Sequence, residues 1–143
     1  MMSIALLAAA TLVSESPGLH RVAVEHRGAP LEARYDAKVT TRLEQVGMSA
    51  GTRMSTERCL WTANVEVQRH VVGGGERALS KTLPDSRTLT GSRHGDCRAA
   101  RDGIAQEVAR RSDDVRAHVI AVAERDRTDL HAEIDAARAL AMN

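Results

Sequence analysis

Two long stretches of the sequence alternate between apolar and polar side chains. The first covers residues 31–43 and the second covers residues 59–71, and each alternates with few exceptions. Because successive side chains of a β-strand point to opposite faces, each stretch predicts a strand with one buried and one solvated face. Strands of this kind are typical of an antiparallel sheet that is covered on one side only.

Shorter segments on either side extend this sheet to an antiparallel β-meander of three to four strands. Residues 21–26 alternate weakly and precede a turn that contains Gly and Pro, while three consecutive glycines follow the second long strand. The glycines lead to a weaker strand that Pro84 ends. Residues 45–58 are either a long loop or a twisted extension of the hairpin. The predicted strands are residues 21–26, 31–44, 58–72 and 77–83.

The periodicity changes after residue 92. From there to the C-terminus, apolar residues recur at steps of three and four, and the opposite face is charged. This pattern predicts a long amphipathic α-helix over about residues 96–140, with Asp96 as its N-cap. We expect a local weak point near residue 112 or 126, since residues 112–114 could cap a second helix and Asp126 interrupts the apolar stripe.

Together these segments predict an α+β fold in which the helix covers the apolar face of the sheet. No linker divides the chain, so residues 19–143 are expected to form a single domain. The helix would extend about 70 Å, whereas a strand the length of residues 31–43 reaches about 40 Å. The helix must therefore overhang the sheet, bend, or pack on another copy. A homodimer through the C-terminal helix and a kinked helix that folds back on its own sheet are both compatible with the sequence.

The two cysteines of the chain are Cys59 and Cys97. Cys59 lies on the inward face of its predicted strand, and Cys97 lies at the start of the predicted helix. Both sulfurs are therefore expected at the interface between sheet and helix, where a disulfide requires Cα atoms within about 7 Å of each other. Closing a loop of this length stabilises a domain by roughly 4 kcal/mol in the chain-entropy model. Such a disulfide favours an oxidising compartment over the cytosol.

Near the N-terminus, residues 4–13 form an apolar run that only Thr11 interrupts. The run is shorter than the ~20 residues that a bilayer requires, but it fits the apolar region of a secretory signal, with a small-x-small pattern at Ala8 and Ala10. We expect residues 1–18 to be a signal peptide or leader, and the mature protein to be periplasmic or secreted without a stable membrane span. Because the first three residues supply no Lys or Arg, a buried first strand or helix of a cytosolic protein is the alternative. Abundant Ala and a strong preference for Arg over Lys indicate a GC-rich bacterial genome.

Charge and aromatic content argue against nucleic-acid binding. The formal net charge is only +1, and Tyr35 and Trp61 are the only members of the Phe, Tyr and Trp group. Nucleic-acid binders usually present a basic face, and single-strand binders add aromatic side chains on which bases stack. No nucleic-acid partner is therefore expected.

The six histidines are scattered and form no H-x-x-x-H or H-E-x-x-H motif. His94 and Cys97 form an H-x-x-C pair that could join Cys59 as a cluster of three metal ligands. Structural zinc sites usually have four ligands, and no fourth candidate stands out. A metal-binding module around these residues is an alternative function, and no cofactor is expected.

No motif marks a nucleophile, so no catalytic residue is assigned. If the protein stayed reduced, the helix N-terminus would favour the thiolate of Cys97, which is the basis for an alternative thiol-dependent enzyme or redox protein. Met48 and Met54 follow the first long strand, where they either form an adaptable binding loop or plug the open end of the core. The leading expectation is a non-enzymatic protein with a structural or protein-interaction role.

Overall fold

The computed structural model describes residues 18–73 and 79–142, and it shows the predicted α+β architecture. Within these residues, an antiparallel sheet of five strands packs against two helices. Residues 1–17 of the predicted leader lie outside the described residues. The elements are β1 (His20–His26), β2 (Ala29–Val46), β3 (Arg58–Val72), β4 (Leu79–Thr82), β5 (Arg87–His94), α1 (Cys97–Arg110) and α2 (Ser112–Ala141).

The sheet is organised around β3. One edge of β3 pairs with β2 along its whole length, with Val72 opposite Glu32 at one end and Arg58 opposite Val46 at the other. Its other edge pairs first with β5 and then with β4. β1 pairs with the first part of β2. All four predicted strands are therefore present, and the segment between the two long strands is a loop.

A fifth strand, β5, forms although its sequence shows little alternation. Leu89 is its only buried residue, and most of the others are exposed. Gly91 lies opposite Trp61 of β3, and a Cβ atom added to Gly91 would come within 2.4 Å of Trp61 Cζ2. Glycine therefore allows β5 to pass directly beneath the indole ring. The strand depends on this packing against β3 and not on a pattern of its own.

The helical segment begins and breaks close to predicted positions. Asp96 is the N-cap of α1, and its side chain accepts a hydrogen bond from the backbone N–H of Ala99 at 2.8 Å. The predicted single helix is interrupted at Arg111, whose side chain then donates to Asp114 at 2.7 Å in the first turn of α2. No break occurs at Asp126, which lies inside α2. The break divides the helical segment into two shorter helices. A second copy of the chain is therefore not needed to explain how the helical segment fits the length of the sheet.

The core consists of two clusters between the sheet and the helices. The larger cluster lies under α2, and the smaller lies under α1 and the start of α2. β3 contributes to both clusters and therefore links them. The buried residues of the first are Val24, Leu31, Ala33, Tyr35, Val67, Val71, Leu83, Val119, Val122, Ala123, Leu130 and Ile134. Those of the second are Cys59, Trp61, Ala63, Val65, Leu89, Ala100, Ile104 and Val115.

The helices cover the second half of β2 only in part. Tyr35 on its inward face is fully buried, but Val39 is 39% exposed, Thr41 is exposed and Leu43 is only partly buried. The strand residues of the smaller cluster come mainly from β3, and Leu43 packs against the edge of that cluster. The inward face of β2 is therefore buried near β1 and exposed at Val39 and Thr41.

Candidate functional site

The predicted disulfide joins β3 to the first residue of α1. Cys59 and Cys97 form an S–S bond with their Cα atoms 4.8 Å apart, and 38 positions separate them in the sequence. Cys59 is fully buried. The disulfide prediction is therefore confirmed, and the two sulfurs meet where the first helix reaches the sheet.

The same bond leaves no free thiol for the two alternative functions, the thiol-dependent enzyme or redox protein and the metal-binding module. With both sulfurs paired, Cys97 offers no thiolate for redox chemistry or for zinc. His94 lies exposed at the end of β5, opposite Arg58. Among the residues that the structure describes, no group of three or more His, Cys, Asp or Glu side chains could hold a metal ion.

A buried ion pair, which the periodicity of the sequence does not predict, lies between β3 and α2. Arg69 is fully buried on the inward face of β3, and Asp126 is buried on α2. Nη1 of Arg69 lies 2.7 Å and 2.6 Å from the two carboxylate oxygens of Asp126. Tyr35 donates its hydroxyl hydrogen to the same carboxylate at 2.9 Å. One carboxylate thus ties together β2, β3 and α2.

Glu133 extends this network to the surface of the molecule. It pairs with Nη2 of Arg69, while Lys81 of β4 donates to its other oxygen at 2.6 Å. The network therefore runs from a fully buried tyrosine to an exposed lysine. Because every partner holds a defined position in a strand or helix, the network fixes the register of α2 on the sheet.

Two features of the sequence could have indicated the ion pair. Arg69 occupies an inward position of an alternating strand, and Asp126 interrupts the apolar stripe of the helix. A buried charge without a partner is costly, so opposite charges on two apolar surfaces that pack together indicate an ion pair. Asp126 therefore marks the partner of Arg69 and not a kink in the helix.

Burial and the network shift the pKa values of several members. Burial raises the pKa of Tyr35, and the hydrogen bond to Asp126 raises it further. Burial alone would lower the pKa of Arg69, but its interactions with Asp126 and Glu133 outweigh that effect and raise it. The hydrogen bond from Lys81 lowers the pKa of Glu133, and the charge of Arg69 adds to the shift. At neutral pH the network therefore contains a neutral tyrosine and charged Arg69 and Glu133.

We expect Glu133 to make the fold sensitive to acid. Because the pKa of Glu133 is lower in the folded protein than its ordinary value of 4.5, the unfolded chain binds a proton first as the pH falls. The stability that Glu133 contributes is complete above that ordinary value and is lost as the pH falls through the lower, folded value. Urea unfolding from about pH 6 to about pH 3 should therefore show a shallower loss of stability for E133Q than for the wild-type protein.

The matched control for this measurement is E124Q, since Glu124 is an exposed residue of the same helix. Its pH profile should follow that of the wild-type protein. Identical profiles for E133Q and the wild-type protein would contradict the role assigned to Glu133.

A second polar cluster joins β1 to the end of α2. Nε2 of the buried His26 lies 2.8 Å from Oδ1 of Asp135, and its Nδ1 lies 3.1 Å from Nδ1 of His131. The hydrogen bond with His26 lowers the pKa of Asp135, and the charge of Arg27 adds to the shift. One carboxylate and two imidazoles therefore lie in a hydrogen-bonded row. Spacing motifs could not have found it, because His26 and His131 are 105 positions apart.

A cavity of about 400 Å³ lies at the same end of the molecule, between β1 and α2. Apolar side chains of both elements line it together with titratable side chains, which are those of His20, Glu25, Tyr35, Glu124, Arg127 and His131. The volume suits a small molecule. Since the lining carries both signs of charge, it defines no single class of ligand.

The loop between β2 and β3 presents Met48 and Met54 to solvent. Their side chains are 78% and 90% exposed, so neither plugs the open end of the core. Thr56 braces the base of the loop: its backbone N–H donates to the carbonyl oxygen of Met48 at 2.9 Å, and its hydroxyl accepts from the Met48 N–H at 3.1 Å. The two methionines are therefore held on a loop with a fixed base.

These observations define the chain as a small α+β protein whose sheet and helical layer are joined by a disulfide. Comparison with known proteins found no matching family model, no matching curated protein and no matching solved structure. Neither α1 nor α2 contains an apolar stretch of the length that crossing a bilayer requires.

Proposed function

We propose that this protein is a non-enzymatic protein-interaction domain of an oxidising compartment, either the periplasm or the exterior of a bacterial cell. Its binding surface is the hairpin end, which we define as residues 38–60. This segment comprises the second half of β2, the loop with Met48 and Met54, and the start of β3.

Exposed apolar side chains concentrate at the hairpin end, and this observation carries the proposal. Six large hydrophobic side chains are exposed within the described residues. Two lie at the C-terminal end of α2, Leu140 and Met142, and four lie at the hairpin end: Val39, Met48, Met54 and Leu60. Val39 faces the inward side of the sheet and Leu60 the outward side, so the two loop methionines supply most of the exposed apolar surface at the hairpin end. Exposed apolar side chains that cluster in this way can mark interaction sites. Methionine in particular adapts its shape to irregular partners.

The disulfide supports the proposed compartment. Structural disulfides persist in oxidising surroundings and are rare in the cytosol. The sequence contains no Phe, so the core relies on smaller side chains that each bury less apolar area. A covalent link therefore contributes a large share of the stability. Residues 1–18, which resemble a secretory signal, also support export, although nearly all of them lie outside the described residues.

Photo-crosslinking in the native host tests the interaction role. A photoreactive amino acid replaces Met54 in one version of the protein and Leu140 in another, since both side chains are exposed and apolar. We expect a discrete cross-linked product from position 54 and none from position 140. Adding M48S to the first version should weaken its product, because this change removes a neighbouring contact. Identical cross-linking from both positions, or none from position 54, would contradict the proposal.

A further inference from the structure

The second half of β2 has a free edge within the described part of the chain. β1 pairs with that edge only from Ala29 to Tyr35. Gly18 then packs against Ala37, where an added Cβ atom would lie 2.8 Å from the Ala37 Cβ. At the other end the chain turns at Gly47, whose φ is 88°. We define the free edge as residues 38–46, and the backbone N–H and C=O groups of such an edge favour pairing with another strand.

We propose that the free edge pairs antiparallel with the free edge of a second copy, centred on Thr41, so that the two sheets become one. This inference rests on the proposed function and names a second copy of the chain as the partner. In this register Lys38 lies opposite Glu44 of the other copy, and Val39 lies opposite Leu43. Each pair occurs twice because the interface is two-fold symmetric.

Charges on the outward face of β2 favour this register. Lys38, Thr40, Arg42 and Glu44 follow one another on that face. Centring the pair on Thr40 would place Lys38 opposite Arg42, and like charges directly opposite each other destabilise a strand pair. Centring it on Arg42 would place two guanidinium groups together. The register centred on Thr41 instead places opposite charges at both ends of the pair.

The inward face provides a second, independent reason. Val39 is 39% exposed on the inward face of β2, and Leu43 is only partly buried. With the pair centred on Thr41, Val39 of each copy packs beside Leu43 of the other and becomes covered. A register centred on Leu43 also pairs opposite charges, Arg42 with Glu44, but it leaves Val39 uncovered. Coverage of Val39 therefore selects the register centred on Thr41.

Sedimentation equilibrium of the oxidised, purified chain tests this inference. We expect a monomer–dimer equilibrium in which K38E and E44K each raise the dissociation constant about tenfold, because each change places like charges opposite each other twice. K38E/E44K exchanges the two charges and should return the constant to within about threefold of the wild-type value. E124K, a charge reversal on the exposed side of α2, is the control and should leave the constant unchanged. Circular dichroism establishes that each variant is folded before its association is compared.

Several outcomes would overturn the inference. One is a monomer at every concentration up to about 1 mM. Another is a dimer that K38E does not weaken or that K38E/E44K does not restore, which would favour the dimer through the C-terminal helix. Failure here is distinct from failure of the proposed function. If position 54 cross-links to a different protein while the purified chain stays monomeric, the interaction role stands and the second copy is excluded as the partner.

Discussion

Removing the disulfide with C59A/C97A should lower the free energy of unfolding by about 4 kcal/mol. The bond closes a loop of 38 positions, so without it the unfolded chain gains conformational freedom. It also attaches the start of α1 to the central strand of the sheet. For a domain of this size, the change corresponds to an unfolding midpoint lower by about 8–16 °C. Urea titration at neutral pH, followed by circular dichroism under non-reducing conditions, measures the difference.

The wild-type protein in the presence of a reductant is the matched comparison. Its free energy of unfolding should agree with that of C59A/C97A within about 1 kcal/mol, since both chains lack the cross-link. If oxidised wild-type protein proved no more stable than C59A/C97A, the stabilising role of the bond would be contradicted.

Breaking the buried ion pair from one side should cost about as much. R69M leaves the carboxylate of Asp126 without its cation, and D126L leaves the guanidinium of Arg69 without its main anion. Each change should lower the free energy of unfolding by about 3–5 kcal/mol, because a buried charge without a partner is strongly destabilising. R69M/D126L removes both charges and should recover much of that loss. A double-mutant cycle measured by urea unfolding gives the coupling between the two residues.

D129A provides the control for the cycle, since Asp129 is an exposed carboxylate on the same helix. It should change the stability by less than about 0.5 kcal/mol. Single variants that each cost less than about 1 kcal/mol, or a double variant whose cost equals the sum of the two, would show that the charges do not depend on each other.

The features that could be predicted from the sequence each follow a local rule. β2 and β3 alternate because one face of the sheet packs and the other is solvated. Asp96 caps α1 because a short acidic side chain can accept a hydrogen bond from the first turn. The disulfide follows from two such rules together: Cys59 lies on the inward face of β3, and Cys97 opens the helix that covers it.

The features that were not predicted depend on contacts between distant segments. β5 forms because Gly91 accommodates the ring of Trp61 on another strand. Arg69 and Asp126 each break a local apolar pattern, and only their meeting in the fold explains both exceptions. The exposure of Val39 and Thr41 on the inward face of β2 depends on where the helices lie, which the alternation of β2 does not indicate. The candidate interaction surface is therefore a product of helix placement as much as of its own sequence.

If the protein works in an oxidising compartment, it must reach that compartment with the Cys59–Cys97 bond formed and without its leader. Intact-mass spectrometry tests this requirement most directly, on protein taken from its native host and alkylated without prior reduction. We predict the mass of a chain that lacks the N-terminal leader and carries no alkyl group. A full-length chain with an alkyl group on each cysteine would contradict both the compartment and the function proposed for it.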